Sequence, residues 1–283
     1  MHFTRRSFLT AATASAATSA LTLPALSGPS DLKLGVMDGV LGLPMSPDAF
    51  AKAKELGLHG VQVTLGRPAK KSNSLPLASK ALQEKLLAAS ADTGVPIVST
   101  YLDVLHEDCL KDSDKASKWV LDGIRITKAL KAKILMPVFF GKCELSTHGG
   151  SEKVVAAFRE LAPVAYDEDV VIGMESLLTS KQSLFVLEQV DSPALKVYYD
   201  VGNAANMIGV DPAAEIRILG KDQLAQVHFK DKGFLGEGKV SFPSVHAALA
   251  DIGYKGYVVL ETNSPTKSVD ADLSRNIDYL KRL

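Results

Sequence analysis

Residues 170–175 read Val170-Val171-Ile172-Gly173-Met174-Glu175, an apolar run that ends in a single carboxylate. A near-continuous apolar run of this length suits a parallel strand covered on both faces. The same design recurs downstream. Val197-Tyr198-Tyr199 ends at Asp200, Gln226-Val227 leads to His228, and Tyr257-Val258-Val259-Leu260 ends at Glu261. These four polar residues are 25, 28 and 33 positions apart, one strand-plus-helix unit each time.

Toward the N-terminus, the runs at 32–37, 60–65, 96–101 and 134–139 bring the expected strands to eight, with 196–200, 226–230 and 257–261 closing the series. Helical periodicity fills the intervals at 46–56, 77–91, 114–130, 152–166, 181–189, 212–219, 242–252 and 271–280. Ser46-Pro47-Asp48, Asp211-Pro212 and Ser241-Phe242-Pro243 have the cap-then-proline form of helix starts. Leu56-Gly57, Thr93-Gly94 and Ile252-Gly253 have the glycine expected at a left-handed helix end. Eight alternations of strand and helix in one uninterrupted unit predict an α/β fold, a single (β/α)8 TIM barrel over residues 28–283. The rival is an open doubly wound sheet. No Gly-x-Gly-x-x-Gly follows the first strand, so a dinucleotide site has no support.

The chain has 283 residues, with 32 basic and 32 acidic side chains. That balance gives no reason to expect a nucleic-acid or membrane-surface partner. After residue 30 no apolar run approaches the roughly 20 residues of a membrane span. Residues 1–27 read differently. Thr4-Arg5-Arg6-Ser7-Phe8-Leu9 precedes an uncharged Ala/Thr/Ser-rich stretch, and the small residues Ala25 and Ser27 stand where a peptidase cuts. This order is that of a twin-arginine export signal. It predicts a periplasmic or otherwise exported protein, folded before export and without stable membrane association afterwards. Removing it takes away Arg5 and Arg6 and no acid, leaving 30 bases against 32 acids. Cys109 and Cys143 fall just beyond the expected third and fourth strands. An oxidising compartment permits a bridge between them, and two separate buried thiols remain the alternative.

In a parallel barrel, residues at the ends of successive strands converge on one mouth, where barrel enzymes carry their chemistry. One such Asp or Glu alone reads as a helix cap, and one such His as a hydrogen-bonder. Four in step form a ligand set, because three carboxylates in one space repel unless a cation lies among them. Three carboxylates and one imidazole suit Mn²⁺ first, with Mg²⁺, Co²⁺ or Zn²⁺ as alternatives.

The motifs Gly173-Met174-Glu175-Ser176, Tyr199-Asp200-Val201-Gly202-Asn203, Val227-His228-Phe229-Lys230-Asp231, the Gly236–Phe242 segment with its Gly-x-Gly, and Val259-Leu260-Glu261-Thr262 resemble the xylose-isomerase-like sugar isomerase/epimerase superfamily, which includes ketose 3-epimerases. The resemblance runs over residues 32–283. It implies a divalent metal held by Glu175, Asp200, His228 and Glu261, with Glu175 and Glu261 as the acid/base pair. The expected reaction removes a proton alpha to a carbonyl, passes through an enediolate and returns the proton to the opposite face. The substrate is expected to be a small sugar or keto-sugar, unphosphorylated because the protein is exported. Lys230, Asp231, Asn203, Glu237 and His106 are candidate substrate contacts. Gln62, Arg67 and His148 are weaker ones, and His246 and Trp119 read as structural. Asn203 stands where some relatives carry histidine, and no His-rich motif follows Lys230, which excludes a trinuclear nuclease. Two other readings stay open: a 3-keto-glycoside lyase or hydrolase using the same site, and a non-catalytic sugar-binding barrel. A homo-oligomer is possible for all of them.

Overall fold

The computed structural model describes residues 32–70, 72–145 and 151–283. The proposed signal at 1–27 and His148 lie outside the described residues. Eight parallel strands close into one barrel in sequence order, β1 pairing with β8. They are β1 (Lys33–Met37), β2 (Gly60–Thr64), β3 (Ile97–Leu102), β4 (Ile134–Phe139), β5 (Val171–Ser176), β6 (Leu195–Asp200), β7 (Leu224–Phe229) and β8 (Tyr257–Leu260). The expected strands and these agree to within a few residues at each end.

Helices α1 (Asp48–Glu55), α2 (Lys80–Thr93), α3 (Asp114–Ala129), α4 (Ser151–Asp167) and α5 (Ser180–Val190) follow the first five strands. A single turn, α6 (Val201–Asn203), leaves β6 directly and runs into a π-turn at Ala204–Ile208. Then come α7 (Pro212–Gln223), α8 (Phe242–Asp251) and α9 (Val269–Leu280). Among the described residues, no helix is long and apolar enough to cross a membrane.

The punctuation works as local chemistry dictates. Ser46 Oγ accepts the Asp48 N–H at 3.2 Å, and Asp211 Oδ1 accepts that of Ala213 at 3.0 Å, ahead of Pro212. Gly94 ends α2 with φ 73°, a left-handed conformation that side chains resist.

Apolar residues on the outer strand face pack against the helices. Phe229 of β7 meets Phe242 of α8 edge-on at 5.1 Å, and Trp119 of α3 is fully buried with its indole N–H on Asp108. A smaller cluster of Met37, Val98 and Val259 is separate from that core. It comes from β1, β3 and β8, and Val259 shares a strand face with Glu261, so this cluster plugs the barrel interior. Cys109 and Cys143 are joined by a disulfide, which ties the loop after β3 to the loop after β4.

Candidate metal centre at the barrel mouth

Parallel pairing brings the four expected ligands together. Asp200 at the end of β6 lies in register with His228 of β7, Glu175 of β5 pairs with Val138 of β4, and the Glu261 N–H reaches the Phe229 carbonyl at 3.1 Å. One ligand atom from each of Glu175, Asp200, His228 and Glu261 falls within 4.8 Å of the other three. Around His228 Nδ1, Glu261 Oε2 lies at 3.1 Å, Glu175 Oε1 at 3.3 Å and Asp200 Oδ2 at 3.8 Å.

Asp200 divides its two oxygens. Oδ1 accepts the Asn203 N–H at 2.7 Å and so caps α6, while Oδ2 is buried, accepts no well-formed hydrogen bond and faces the cluster. The donor set therefore fits a divalent cation: three carboxylates and one imidazole nitrogen converge, and the buried Asp200 Oδ2 has an ion pair with Lys230 but no well-formed hydrogen bond. Electrostatics agree. Burial, against the pull of Lys230 and with the push of Glu261 and Glu175, raises the Asp200 carboxyl to about 8. Burial also acts to raise Glu261, yet His228 and Lys230 outweigh it and hold Glu261 well below the carboxylate range. Burial disfavours a charged His228, but Glu261 and Glu175 overcome this and hold it at about 10. A buried cluster this rich in negative charge calls for positive charge.

Lys230 supplies some of it, with Nζ 3.0 Å from Glu261 Oε2 and 3.1 Å from Asp200 Oδ2. A cavity of about 710 Å³ opens over the cluster. Lys230 and Glu261 line it, along with Asn203, Tyr101, Asn263 and Met207, while Glu175, Asp200 and His228 sit behind them.

The other candidates separate. Asn203 borders the cavity. Asp231 also borders it, but its carboxylate is occupied: Oδ1 accepts from the Lys232 N–H at 2.8 Å and the Lys239 N–H at 3.1 Å, and Oδ2 from the Gly238 N–H at 3.1 Å. Asp231 thus folds the loop after β7 instead of offering itself to a ligand. Glu237 is half-exposed, pairs with Arg275 and lies off the cavity wall. His106 is one residue removed, with Nε2 2.8 Å from the hydroxyl of Tyr101, which does face the cavity, and its ring stacked on Phe140. Arg67 is held by Asp103 and Glu107. Gln62 is fully buried and faces His228 instead of a substrate, its Oε1 2.9 Å from His228 Nε2.

Sequence reasoning passed over Tyr198 and Gln226, which lie beneath Asp200 and His228. Tyr198 is two residues before Asp200 and Gln226 two before His228, hence on the same strand face, and that spacing was the available signal. Tyr101, the last residue of the expected third strand, was passed over too.

The comparisons follow the same lines. The family model for the xylose isomerase-like TIM barrel matches residues 50–283. A ketose 3-epimerase of Arthrobacter globiformis is 30% identical over 247 residues, covering 82% of each chain. An L-ribulose 3-epimerase of a Methylomonas species is 27% identical over 253 residues, covering 83% of this chain and 84% of that one. In fold, the chain matches a Methylomonas D-allulose 3-epimerase solved with D-allulose at a TM-score of 0.71 and 19% identity, covering 91% of this chain and 99% of the other. An Escherichia coli 3-keto-D-glucoside 4-epimerase matches at 0.70 and 16%, covering 89% and 100%. The chain belongs to the xylose isomerase-like TIM barrel family, and its relatives are sugar epimerases and isomerases.

Proposed function

We propose that this protein is a divalent-metal-dependent epimerase or isomerase of a small sugar or keto-sugar. The observation that carries this reading is the convergence of Glu175, Asp200, His228 and Glu261 within 4.8 Å beneath an open cavity. These four residues would hold the cation, Mn²⁺ first among the candidates by donor type. When bound, it supplies Lewis acidity to a carbonyl and a neighbouring hydroxyl.

The chain's own residues do the rest. A carboxylate of one of the two glutamates takes the proton from the carbon alpha to the carbonyl, and the C–H electron pair moves in to form an enediolate. The other glutamate, in its protonated form, returns a proton to the opposite face, which inverts that carbon. Lys230, on the cavity wall beside Glu261, donates to a substrate oxygen, and Asn203 lines the entrance.

A 3-keto-glycoside lyase or hydrolase is a second reading, favoured by the apolar part of the cavity lining. Besides Lys230 and Glu261, the cavity of about 710 Å³ is lined by the apolar side chains of Val40, Met207 and Val269, which suit a group attached to the reacting sugar. We also propose that Arg5-Arg6 directs export, since the Cys109–Cys143 bridge suits an oxidising compartment.

The test is incubation with ketoses and 3-keto-disaccharides in deuterated water with Mn²⁺. Epimer formation with deuterium at the inverted carbon is expected. Release of a free aglycone or monosaccharide would favour the second reading. No exchange and no product across the panel, from protein shown to carry metal, would leave only the non-catalytic sugar-binding barrel.

A further inference from the structure

We propose that Gln62, Tyr198 and Gln226 are positioning residues: a one-way hydrogen-bond relay that keeps a proton on His228 Nε2 and turns Nδ1 into the carboxylate cluster. The proposal rests on the reading of that cluster as a metal site. Its first test does not depend on metal.

Strand alternation places the relay. Gln226 precedes His228 by two on β7, and Tyr198 precedes Asp200 by two on β6, so both point into the barrel one layer beneath the ligands. Gln62 enters from β2 on the far side of the barrel. His228 Nε2 lies 2.9 Å from Gln62 Oε1, Gln62 Nε2 lies 3.1 Å from the Tyr198 hydroxyl, and that hydroxyl lies 2.8 Å from Gln226 Oε1. All four side chains are essentially unexposed, so water does not replace a missing partner.

Such a chain runs in one of two directions. In one, His228 Nε2–H donates to Gln62, Gln62 to Tyr198, and Tyr198 to Gln226. Reversal turns both amides over and leaves Nε2 as an acceptor, which puts the ring proton of a neutral imidazole on Nδ1. Met136 breaks the symmetry. Its sulfur lies 3.5 Å from Gln62 Nε2, and a thioether accepts a proton but has none to give. The nitrogen therefore belongs on that side of the Gln62 amide and the oxygen on the His228 side. The Tyr198 ring, edge-on to the imidazole at 4.5 Å and 62°, holds the ring plane. Nδ1 then faces Glu175, Asp200 and Glu261, so the Nδ1 proton is the one the ring would give up to a cation, while Nε2 keeps its proton on the Gln62 side. Orientation of a ligating histidine through its second nitrogen typically governs about 10–100-fold in metal affinity.

The experiment is ¹⁵N-histidine NMR of the wild-type protein, metal-free and with diamagnetic Mg²⁺, together with calorimetric Mn²⁺ titration of Gln62→Leu, Gln62→Glu and Tyr198→Phe. A slowly exchanging proton on His228 Nε2 in both wild-type states is expected. So is an Mn²⁺ affinity about 10–100-fold weaker in Gln62→Leu and near wild type in Gln62→Glu, which keeps the acceptor. A purely packing role would lower melting temperature without this split between leucine and glutamate. An unprotonated Nε2 in the wild type overturns the relay, as does unchanged affinity in a folded Gln62→Leu. If Gln62→Leu does not fold, the wild-type spectrum decides together with Tyr198→Phe, in which weakened Mn²⁺ binding supports the relay and unchanged binding overturns it. A wild-type protein that binds no metal but keeps the Nε2 proton refutes the metal reading and leaves the relay standing.

Discussion

Lys230 donates to Glu261 across the mouth of the barrel, Nζ to Oε2 at 3.0 Å, and the same ammonium lies 3.1 Å from Asp200 Oδ2. It stands among the carboxylates that a cation would bridge. Lys230→Met should therefore have opposite effects in the two states. The metal-free protein should lose on the order of 2 kcal/mol, because buried acids lose their counter-charge. Mn²⁺ should bind more tightly, because no ammonium competes. Calorimetric titration and melting of chelated protein measure both. Weaker Mn²⁺ binding in the variant would contradict the assignment.

Glu175→Gln and Glu261→Gln keep shape and remove the proton-transfer group. Each should cut kcat by about 10²–10⁴ while the barrel stays folded. Circular dichroism and solvent deuterium exchange separate the two effects. Full activity in either variant ends the acid/base pair.

The loop after β7 closes around Asp231. A Cβ at Gly238 would lie 1.9 Å from Asp231 Oδ1, far inside contact distance. Gly238→Ala should displace the loop and cost about 1–3 kcal/mol. Thermal melting reads the cost, and it should greatly exceed that of Glu237→Ala, whose side chain points away to Arg275.

The Cys109–Cys143 bridge spans a sequence separation of 34 residues. Closing a loop of that size stabilises by about 3–4 kcal/mol in the chain-entropy account. The double alanine variant should show a loss of that order in urea titration. Because the bridge joins the loops that carry His106 and flank Phe140, the variant should also raise KM more than it lowers kcat.

Asp38 gives the pH dependence. Oδ2 accepts the Met45 and Thr64 N–H groups at 2.8 and 3.0 Å, but Oδ1 is buried without a partner. Burial raises this carboxyl from 3.8 to about 6, against the pull of the Met45, Thr64 and Gly39 N–H groups. A folded pKa above the unfolded one gives stability that is complete below the unfolded value and lost as pH rises through the folded value. A shift of about two units corresponds to roughly 3 kcal/mol. Denaturant titrations of wild type and Asp38→Asn should therefore diverge as pH rises from about 4 to above 6, with the wild type losing relative stability. Parallel curves would refute this.

The barrel was legible because its signals are local. Apolar runs, caps such as Ser46 and Asp211, and glycines such as Gly94 act through the chain's own dihedrals and nearest backbone groups. The convergence of Glu175, Asp200, His228 and Glu261 was legible for a related reason: each stands at or near a strand end, and parallel closure brings strand ends to one place. The candidates beyond them were chosen by position in a loop, and position does not say which way a side chain turns. Asp231 and Glu237 sit in the same loop, yet one folds inward onto backbone N–H groups and the other reaches out to Arg275.

The sequence by itself determined the alternation of elements, the closed barrel and the residues Glu175, Asp200, His228 and Glu261 as a set. Only the tertiary structure decided that Gln62 faces His228, that Lys230 stands between Asp200 and Glu261, and that Cys109 meets Cys143. The physical reason is distance along the chain. Gln62 and His228 are separated by 166 residues, and no local propensity encodes a hydrogen bond between opposite walls of a barrel. Such a contact exists only once closure has fixed the interior, where the exclusion of water forces each polar group onto the partner that the fold provides.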